Sequence, residues 1–132
     1  MHPMPPDLLT LHRYFIWADR MRTHFDEVLA RGADALEGAG FIESFLYMSY
    51  LYAGLYVVIE GWRELRLSDA AIDEILQSSN VELLKRYRNG VYHFQRNYND
   101  KRFDEFMTQG EDAVTWVRRL NEQFGRFFLQ YP

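Results

Sequence analysis

The chain has 132 residues, of which 48% are hydrophobic and 17% aromatic, so it is long and apolar enough for one domain with a substantial core. It contains no cysteine, which excludes disulfide frameworks, thiolate catalysis and Cys-ligated zinc. A formal net charge of −4 argues against a protein coated by nucleic acid over its whole surface, but it is compatible with a local contact.

The first six residues contain three prolines and are expected to form a flexible segment, followed by a single domain over residues 7–132. The start of the chain lacks the basic and apolar regions of a secretory signal. The longest uncharged run, residues 44–59, is shorter than the roughly 20 apolar residues of a bilayer span. We therefore expect a cytoplasmic protein that makes no membrane contact.

The first half of the chain predicts two long helices. Apolar residues recur every three or four positions over residues 8–29, where Asp7 is placed to cap the helix, and a glycine-rich loop follows at residues 31–40. The second helix, residues 41–65, is apolar almost all round. Such a helix is either central in the core or shared with a partner subunit.

Two features of the second helix bear on its neighbours. Ala53 and Gly54 remove bulk from its middle, which lets another helix approach closely. Glu60 is a lone carboxylate among apolar residues. We expect it to pair with Arg63 on the helix surface, and the alternative is that it holds a cation from residues 85–102.

Four further helices are predicted, over residues 69–77, 81–98, 100–107 and 112–130. Ser68 and Asn80 are the expected N-caps of the first two. The helix over residues 81–98 contains Gly90, which costs about 1 kcal/mol in helix propensity. It is nevertheless expected to continue, because one apolar stripe runs through it: Val81, Leu84, Tyr87, Val91, Phe94 and Tyr98.

Residues 85–102, called here the basic segment, hold six of the 15 Lys and Arg residues and one acid, Asp100. The formal charge of the segment is therefore +5, and the rest of the chain carries −9. Opposite the apolar stripe, one side of the predicted helix holds most of the polar groups: Lys85, Arg86, Asn89, His93 and Arg96.

The spacing of three residues in this helix decides where a site can form. Asn89 and His93 are four positions apart, so they lie on one face and can address the same group. Arg88 and His93 are five apart and diverge by about 140° on a straight helix. Two subunits packed about a symmetry axis would bring two Arg–His sets into one cleft, so the spacing predicts a site shared by a homodimer.

Residues 88–93 read RNGVYH and resemble the Rx4–6H motif of the HEPN superfamily, in which an arginine followed by a polar residue precedes a histidine near the end of a bundle helix. The resemblance implies an all-α fold, an antiparallel bundle of four to five helices, with a homodimer interface at the motif. It further implies metal-independent cleavage of RNA. Some relatives bind nucleotides or serve as non-enzymatic partners, so the alternative is a non-catalytic dimer that binds a nucleotide, RNA or a protein through the basic segment.

The residue types fit this chemistry. Metal-free RNA cleavage needs a proton removed from the ribose 2′-OH, charge stabilised on phosphorus and the leaving oxygen protonated. His93 is the candidate for proton transfer, since histidine exchanges protons near neutral pH. Arg88 offers a bidentate fork to phosphate oxygens. Asn89 is expected to orient the histidine or to donate to the phosphate.

Other residues of the basic segment are candidates for substrate binding. Lys85, Arg86 and Arg96 would hold the RNA backbone electrostatically. Tyr92 would stack on a base, whereas Tyr98 is the poorer candidate because it lies on the apolar stripe. An antitoxin protein is a further candidate partner. HEPN toxins paired with a nucleotidyltransferase antitoxin often carry tyrosine two residues after the histidine, but Gln95 stands there, so control through that tyrosine is not supported.

Signals for other chemistry are weak. The sequence contains no GxGxxG, GxxxxGK[ST], GxSxG or HExxH motif, which leaves dinucleotide, P-loop, hydrolase and zincin functions without support. It has no ExxH motif, and its four histidines are dispersed along the chain. We therefore expect neither a metal nor a cofactor.

Overall fold

The computed structural model describes residues 4–32 and 37–130 and confirms the all-α fold. Six helices occur in these residues: α1 (Pro6–Leu29), α2 (Gly38–Glu64), α3 (Ala70–Ile75), α4 (Asn80–Tyr92), α5 (Arg102–Gln109) and α6 (Ala113–Phe128). The four longer helices are the main elements of the bundle. Of the two shorter ones, α3 packs on α6, and α5 packs on α4 and α6.

The ends of α1 and α2 differ from expectation. Helix α1 begins inside the segment expected to be flexible, because Pro6 opens the helix and the half-buried Met4 packs against the core. Residues 1–3 of that segment lie outside the described residues. Of the expected loop, residues 33–36 also lie outside them, and α2 begins at Gly38, earlier than position 41.

Helices α1 and α2 form an antiparallel pair. Leu11 faces Gly61, and Ala18 faces Gly54, so positions rising along α1 meet positions falling along α2. A Cβ at Gly54 would lie 3.1 Å from the Cβ of Ala18. The prediction that this glycine admits a neighbouring helix is therefore confirmed, and the neighbour is α1.

Helix α6 runs antiparallel to α1. Phe15 packs on Phe124, and further along α1 the Asp26 carboxylate accepts a hydrogen bond of 2.7 Å from Arg118. Partial burial opposes ionisation of Asp26, but the hydrogen bonds from Arg118 and Arg22 outweigh it and lower its pKa. The Asp26–Arg118 ion pair ties the first and last helices of the described chain together.

Helix α4 packs antiparallel on α2. The buried Tyr87 hydroxyl lies 3.0 Å from the hydroxyl of Ser49, and its ring packs at 5.5 Å from that of Tyr52. Burial raises the pKa of Tyr52 to about 12 and also raises the pKa of Tyr87, against the hydrogen bond from Ser49. The face of α4 that carries Val81, Leu84 and Tyr87 is therefore buried in the core, as predicted.

The three predicted N-caps are wrong. Helix α1 starts on Pro6, whose missing N–H suits a first helical position, and Asp7 lies within the first turn. Helix α3 is capped by Asp69 and not by Ser68, because the Asp69 carboxylate accepts from two backbone N–H groups at 3.1 Å. Asn80 is the first residue of α4 and points into the core.

Helix α2 divides into two halves. From Leu51 to Trp62 most residues are buried, which confirms core packing for this part. The first half instead exposes large apolar side chains: Phe41, Ile42, Phe45, Leu46 and Tyr50. By length and composition alone α2 is also apolar enough to cross a membrane, a property that core helices share.

Candidate functional site

Helix α4 ends earlier than the apolar stripe predicts. Its last residue is Tyr92, and His93 has an extended backbone (φ −114°, ψ 125°). Phe94 and Tyr98, placed on the core stripe by the sequence, are 94% and 87% exposed. The helix over residues 81–98 is thus corrected to Asn80–Tyr92, and Gly90 lies inside it as expected.

Side chains after α4 compete with helical hydrogen bonds. The Gln95 amide donates to the carbonyl of His93 at 2.7 Å and accepts from Arg102 at 2.6 Å. Asn97 accepts from the backbone N–H of Asn99, and the Asp100 carboxylate accepts from that of Arg102. Asn and Asp bind nearby backbone groups in this way and favour turns, which overrides the helical spacing of the apolar residues.

Arg88 is held by three groups. Its Nη1 donates to Glu60 Oε1 at 2.7 Å, and its Nε donates to Asn89 Oδ1 at 2.9 Å. The guanidinium carbon lies 4.8 Å from the centre of the Tyr56 ring. The Arg88 side chain is 19% exposed, so it is oriented by the protein and still reaches solvent.

The partner of Glu60 differs from the one favoured by the sequence. Glu60 pairs with Arg88 of the basic segment and not with Arg63, which corrects the expected surface pair in favour of the alternative. The reason is tertiary: α4 packs across α2 so that the guanidinium lies over Tyr56, one turn before Glu60. Glu60 remains 45% exposed, so the pair lies at the edge of the core.

The other two motif residues lie at the end of α4. The side-chain oxygen of Asn89 accepts a hydrogen bond from Arg88 and not from the histidine. His93 follows the last helical residue, and its imidazole is exposed. Within residues 4–32 and 37–130 the His93 side chain has neither a hydrogen bond nor an ion pair. The structure thus places the motif residues at one helix end, with an anchored arginine and an unconstrained histidine.

The predicted substrate-binding residues fall into two groups. Arg86 is paired with Glu105 through contacts of 2.6 and 3.3 Å, and this hydrogen bond lowers the pKa of the Glu105 carboxyl. Lys85 and Arg96 have no ion pair in the part of the chain that the structure describes. Counting Glu60 and Glu105 with the basic segment lowers its formal charge from +5 to +3. A positive patch remains, but a smaller one.

Tyr92, the predicted stacking residue, is exposed and packs edge-on against Tyr50 of α2 at 6.1 Å between ring centres. Partial burial and the neighbouring Tyr50 raise its pKa. The Tyr92 ring therefore makes one ring contact within the protein, and the exposed part of the side chain lies beside the motif.

A cavity of about 820 Å³ opens beside His93, between the first turns of α2, the linker 93–101 and α5. Sequence reasoning did not identify it. Its aromatic lining comes from three separate stretches: Phe41, Phe45, Phe94, Tyr98 and Phe103. The available signal was that Phe94 and Tyr98 lie among turn-forming Asn and Asp residues, which argues against a continued helix.

The remaining histidines with described surroundings serve packing. His12 stacks on Phe128 at 4.7 Å, and His24 stacks on Tyr47 at 5.1 Å. In the residues that the structure describes, no three His, Cys, Asp or Glu side chains are grouped so that they could hold a metal ion.

No protein-family model, curated protein or solved structure matches the chain. The likeness to the HEPN superfamily therefore rests on residues 88–93 and on the all-α bundle.

Proposed function

We propose that the chain is an HEPN-like, metal-independent endoribonuclease that acts at a cleft shared by two subunits. The observation that carries the proposal is the anchoring of Arg88 by Glu60, Asn89 and Tyr56 on the helix that ends at the exposed His93. A surface arginine that serves solubility alone needs no such support. An arginine that must meet a phosphate in one orientation does, because preorganised donors stabilise charge without reorganisation during the reaction.

The anchored arginine keeps donors for substrate. A guanidinium has five N–H groups, and Glu60 and Asn89 each engage one of them. The rest are available for phosphate oxygens, on which charge builds up as the 2′-oxygen attacks phosphorus. Arg88 would thereby stabilise the phosphorane.

The proton steps fall to histidine. One His93 accepts the proton of the 2′-OH as the bond from the 2′-oxygen to phosphorus forms. As the bond from phosphorus to the 5′-oxygen breaks, the partner's His93 donates a proton to that oxygen. The products are a 2′,3′-cyclic phosphate and a 5′-OH end, and no metal ion takes part in either step.

The surface around the motif supports a dimer. Ile42, Leu46 and Tyr50 recur every four positions on the exposed half of α2, so they share one helix face. Tyr50 packs against Tyr92 at the end of α4, which makes this apolar face continuous with the motif. Covering it with a second copy would bury apolar surface and bring two motifs together.

The test is cleavage of a single-stranded RNA in EDTA, with 2′,3′-cyclic phosphate ends as the product. Arg88→Ala and His93→Ala are expected to reduce the rate at least about 100-fold while the circular dichroism spectrum is kept. Arg119→Ala and His24→Ala are matched controls away from the motif and should cleave like the unchanged protein. Cleavage that survives both motif substitutions would contradict the assignment.

A non-catalytic binding function is the second candidate, and the cavity beside His93 favours it. A site that only binds a nucleotide or RNA also benefits from an aromatic cavity and a positive patch. It would give salt-dependent affinity for RNA without any product, which the same cleavage assay distinguishes.

A further inference from the structure

The cavity beside His93 has the shape and chemistry of a ring-binding site. Its volume of about 820 Å³ falls within the range of small-molecule sites. Phe41 and Phe45 line it from α2, and Phe103 lines it from α5. Phe45 and Phe103 meet edge to face at 5.9 Å, and Phe103 in turn packs on the buried Tyr87. One wall is therefore attached to the core and rigid.

Close packing of α5 on α4 forms this wall. Gly90 is buried, and a Cβ there would lie 3.2 Å from the Cβ of Arg102 and 3.3 Å from Cε1 of Phe103. A larger residue at this position would push α5 outward and move Phe103. Glycine is unfavourable inside a helix, and the close packing of α5 is the reason for it at this position.

The linker contributes exposed aromatic surface to the lining. Phe94 and Tyr98 both line the cavity, yet both are almost fully exposed. Covering such a side chain with another ring would remove apolar surface from water and add ring–ring contact. The linker that carries them is held by the Gln95 and Asn97 hydrogen bonds, so the two rings are placed by a structured loop.

Polar groups at the rim match the edge of a nucleobase. The Nδ2 of Asn97 and both side-chain atoms of Asn99 have no hydrogen-bond partner among the described residues, so their donors and acceptors are available. Amide groups pair with the mixed donors and acceptors of a base edge. The charged residues of the lining, Asp100, Lys101 and Asp104, sum to a formal charge of −1. This charge disfavours a phosphate inside the cavity and favours an uncharged ring.

We infer that this cavity binds a nucleobase by stacking on the aromatic rings that line it, Phe94 and Tyr98 of the linker and Phe45 and Phe103 of the helices. The sugar-phosphate would stay outside, where Arg96, which has no ion pair among the described residues, is an available cation. The inference rests on the proposed function in one respect, since His93, which would carry out the proton transfers, lines the same cavity. The base belongs either to an RNA strand or to a free nucleotide.

Binding measurements separate these sources. The probes are adenosine and cytidine, followed by saturation-transfer NMR, and a 2′-O-methyl hexanucleotide, followed by fluorescence anisotropy. The hexanucleotide has no free 2′-OH and so cannot be cleaved by the proposed route. The test variant is Phe94→Ala with Tyr98→Ala, both exposed and therefore compatible with folding. Trp17→Ala, an exposed aromatic of α1 outside the cavity, is the matched control.

The double variant is expected to weaken binding about 10- to 100-fold, from a stacking contribution of roughly 1–3 kcal/mol per base, while Trp17→Ala binds normally. Loss seen with nucleosides identifies a site for free nucleotides, and loss seen only with the hexanucleotide identifies a strand base. Unchanged binding in the double variant would overturn the inference.

Failure of one proposal can be distinguished from failure of the other. Cleavage lost in His93→Ala with unchanged binding in the double variant would support the endoribonuclease and reject the base site. Base binding without any cleavage product would support the base site and reject the endoribonuclease.

Discussion

Replacing Asn80 by alanine is expected to destabilise the fold where α4 begins. The Asn80 side chain is fully buried. Its Nδ2 donates to the carbonyl of Glu111 at 2.8 Å, and its Oδ1 accepts from the N–H of Glu111 at 2.9 Å. These two bonds join the start of α4 to the loop before α6, so they fix the helix that carries Arg88.

The magnitude follows from the two bonds. Each contributes about 0.5–1.5 kcal/mol, and alanine leaves both backbone groups of Glu111 without their partner. The higher helix propensity of alanine offsets about 0.5 kcal/mol of this loss in stability. We therefore expect a loss of roughly 2 kcal/mol in the free energy of unfolding. Asn80→Asp keeps the acceptor but places a carboxylate against a carbonyl oxygen.

The pH dependence of the aspartate variant provides a second check. Burial beside a carbonyl favours the protonated form, so the folded-state pKa of the new carboxyl would rise above its unfolded value. Its destabilisation is then smallest at pH 4 and grows as the pH rises to 7. The alanine variant has no such group, so its loss relative to the unchanged protein should be similar at both pH values.

The assay is urea unfolding followed by circular dichroism at 222 nm, with Asn99→Ala as the control. Asn99 is exposed in the linker, so its substitution should change the free energy of unfolding by less than about 0.5 kcal/mol. A loss of less than about 0.5 kcal/mol in Asn80→Ala would refute the reasoning, since it would mean that the Glu111 bonds add nothing to stability.

Three other predictions concern the site, the ion pairs and the subunit contact. Glu60→Ala should slow RNA cleavage about 10- to 100-fold, because Arg88 loses its anchor. The free energy of unfolding in urea should change by less than about 1 kcal/mol, since the pair is partly exposed. An unchanged cleavage rate would reject the anchoring role. The free energy of unfolding should decrease as the pH falls below about 4. Arg126 lowers the pKa of Asp69, and Arg118 lowers the pKa of Asp26 although partial burial opposes this. A flat profile from pH 5 to 3 would contradict this. Ile42→Glu should convert a dimer to a monomer in sedimentation without unfolding it, and a persistent dimer would place the contact elsewhere.

The helices of this protein could be predicted because their apolar residues repeat with the helical period. The buried faces of α1 and α6, and that of α4 as far as Tyr87, lie where the periodicity places them. Helix ends were less predictable, since Asp7, Ser68 and Asn80 are each a chemically suitable cap, and only the packed chain decides which one is used. Asp69 is used for α3 because its carboxylate meets two backbone N–H groups.

The candidate site was likewise predictable from the sequence only in part. The sequence by itself singled out Arg88, Asn89 and His93 as a cluster of suitable chemistry on α4. It could not determine that α4 stops at Tyr92, because local hydrogen bonds in the linker compete with an apolar stripe that favours continuation.

The anchoring of Arg88 and the cavity beside His93 exist only in the tertiary structure. Glu60 lies 28 positions from Arg88, and the aromatic walls come from α2, the linker and α5. Local periodicity reports which face of a helix is apolar, but it carries no information about which distant side chain lies opposite. That pairing is decided by how α4 and α5 cross α2, and the crossing depends on the packing of the whole core.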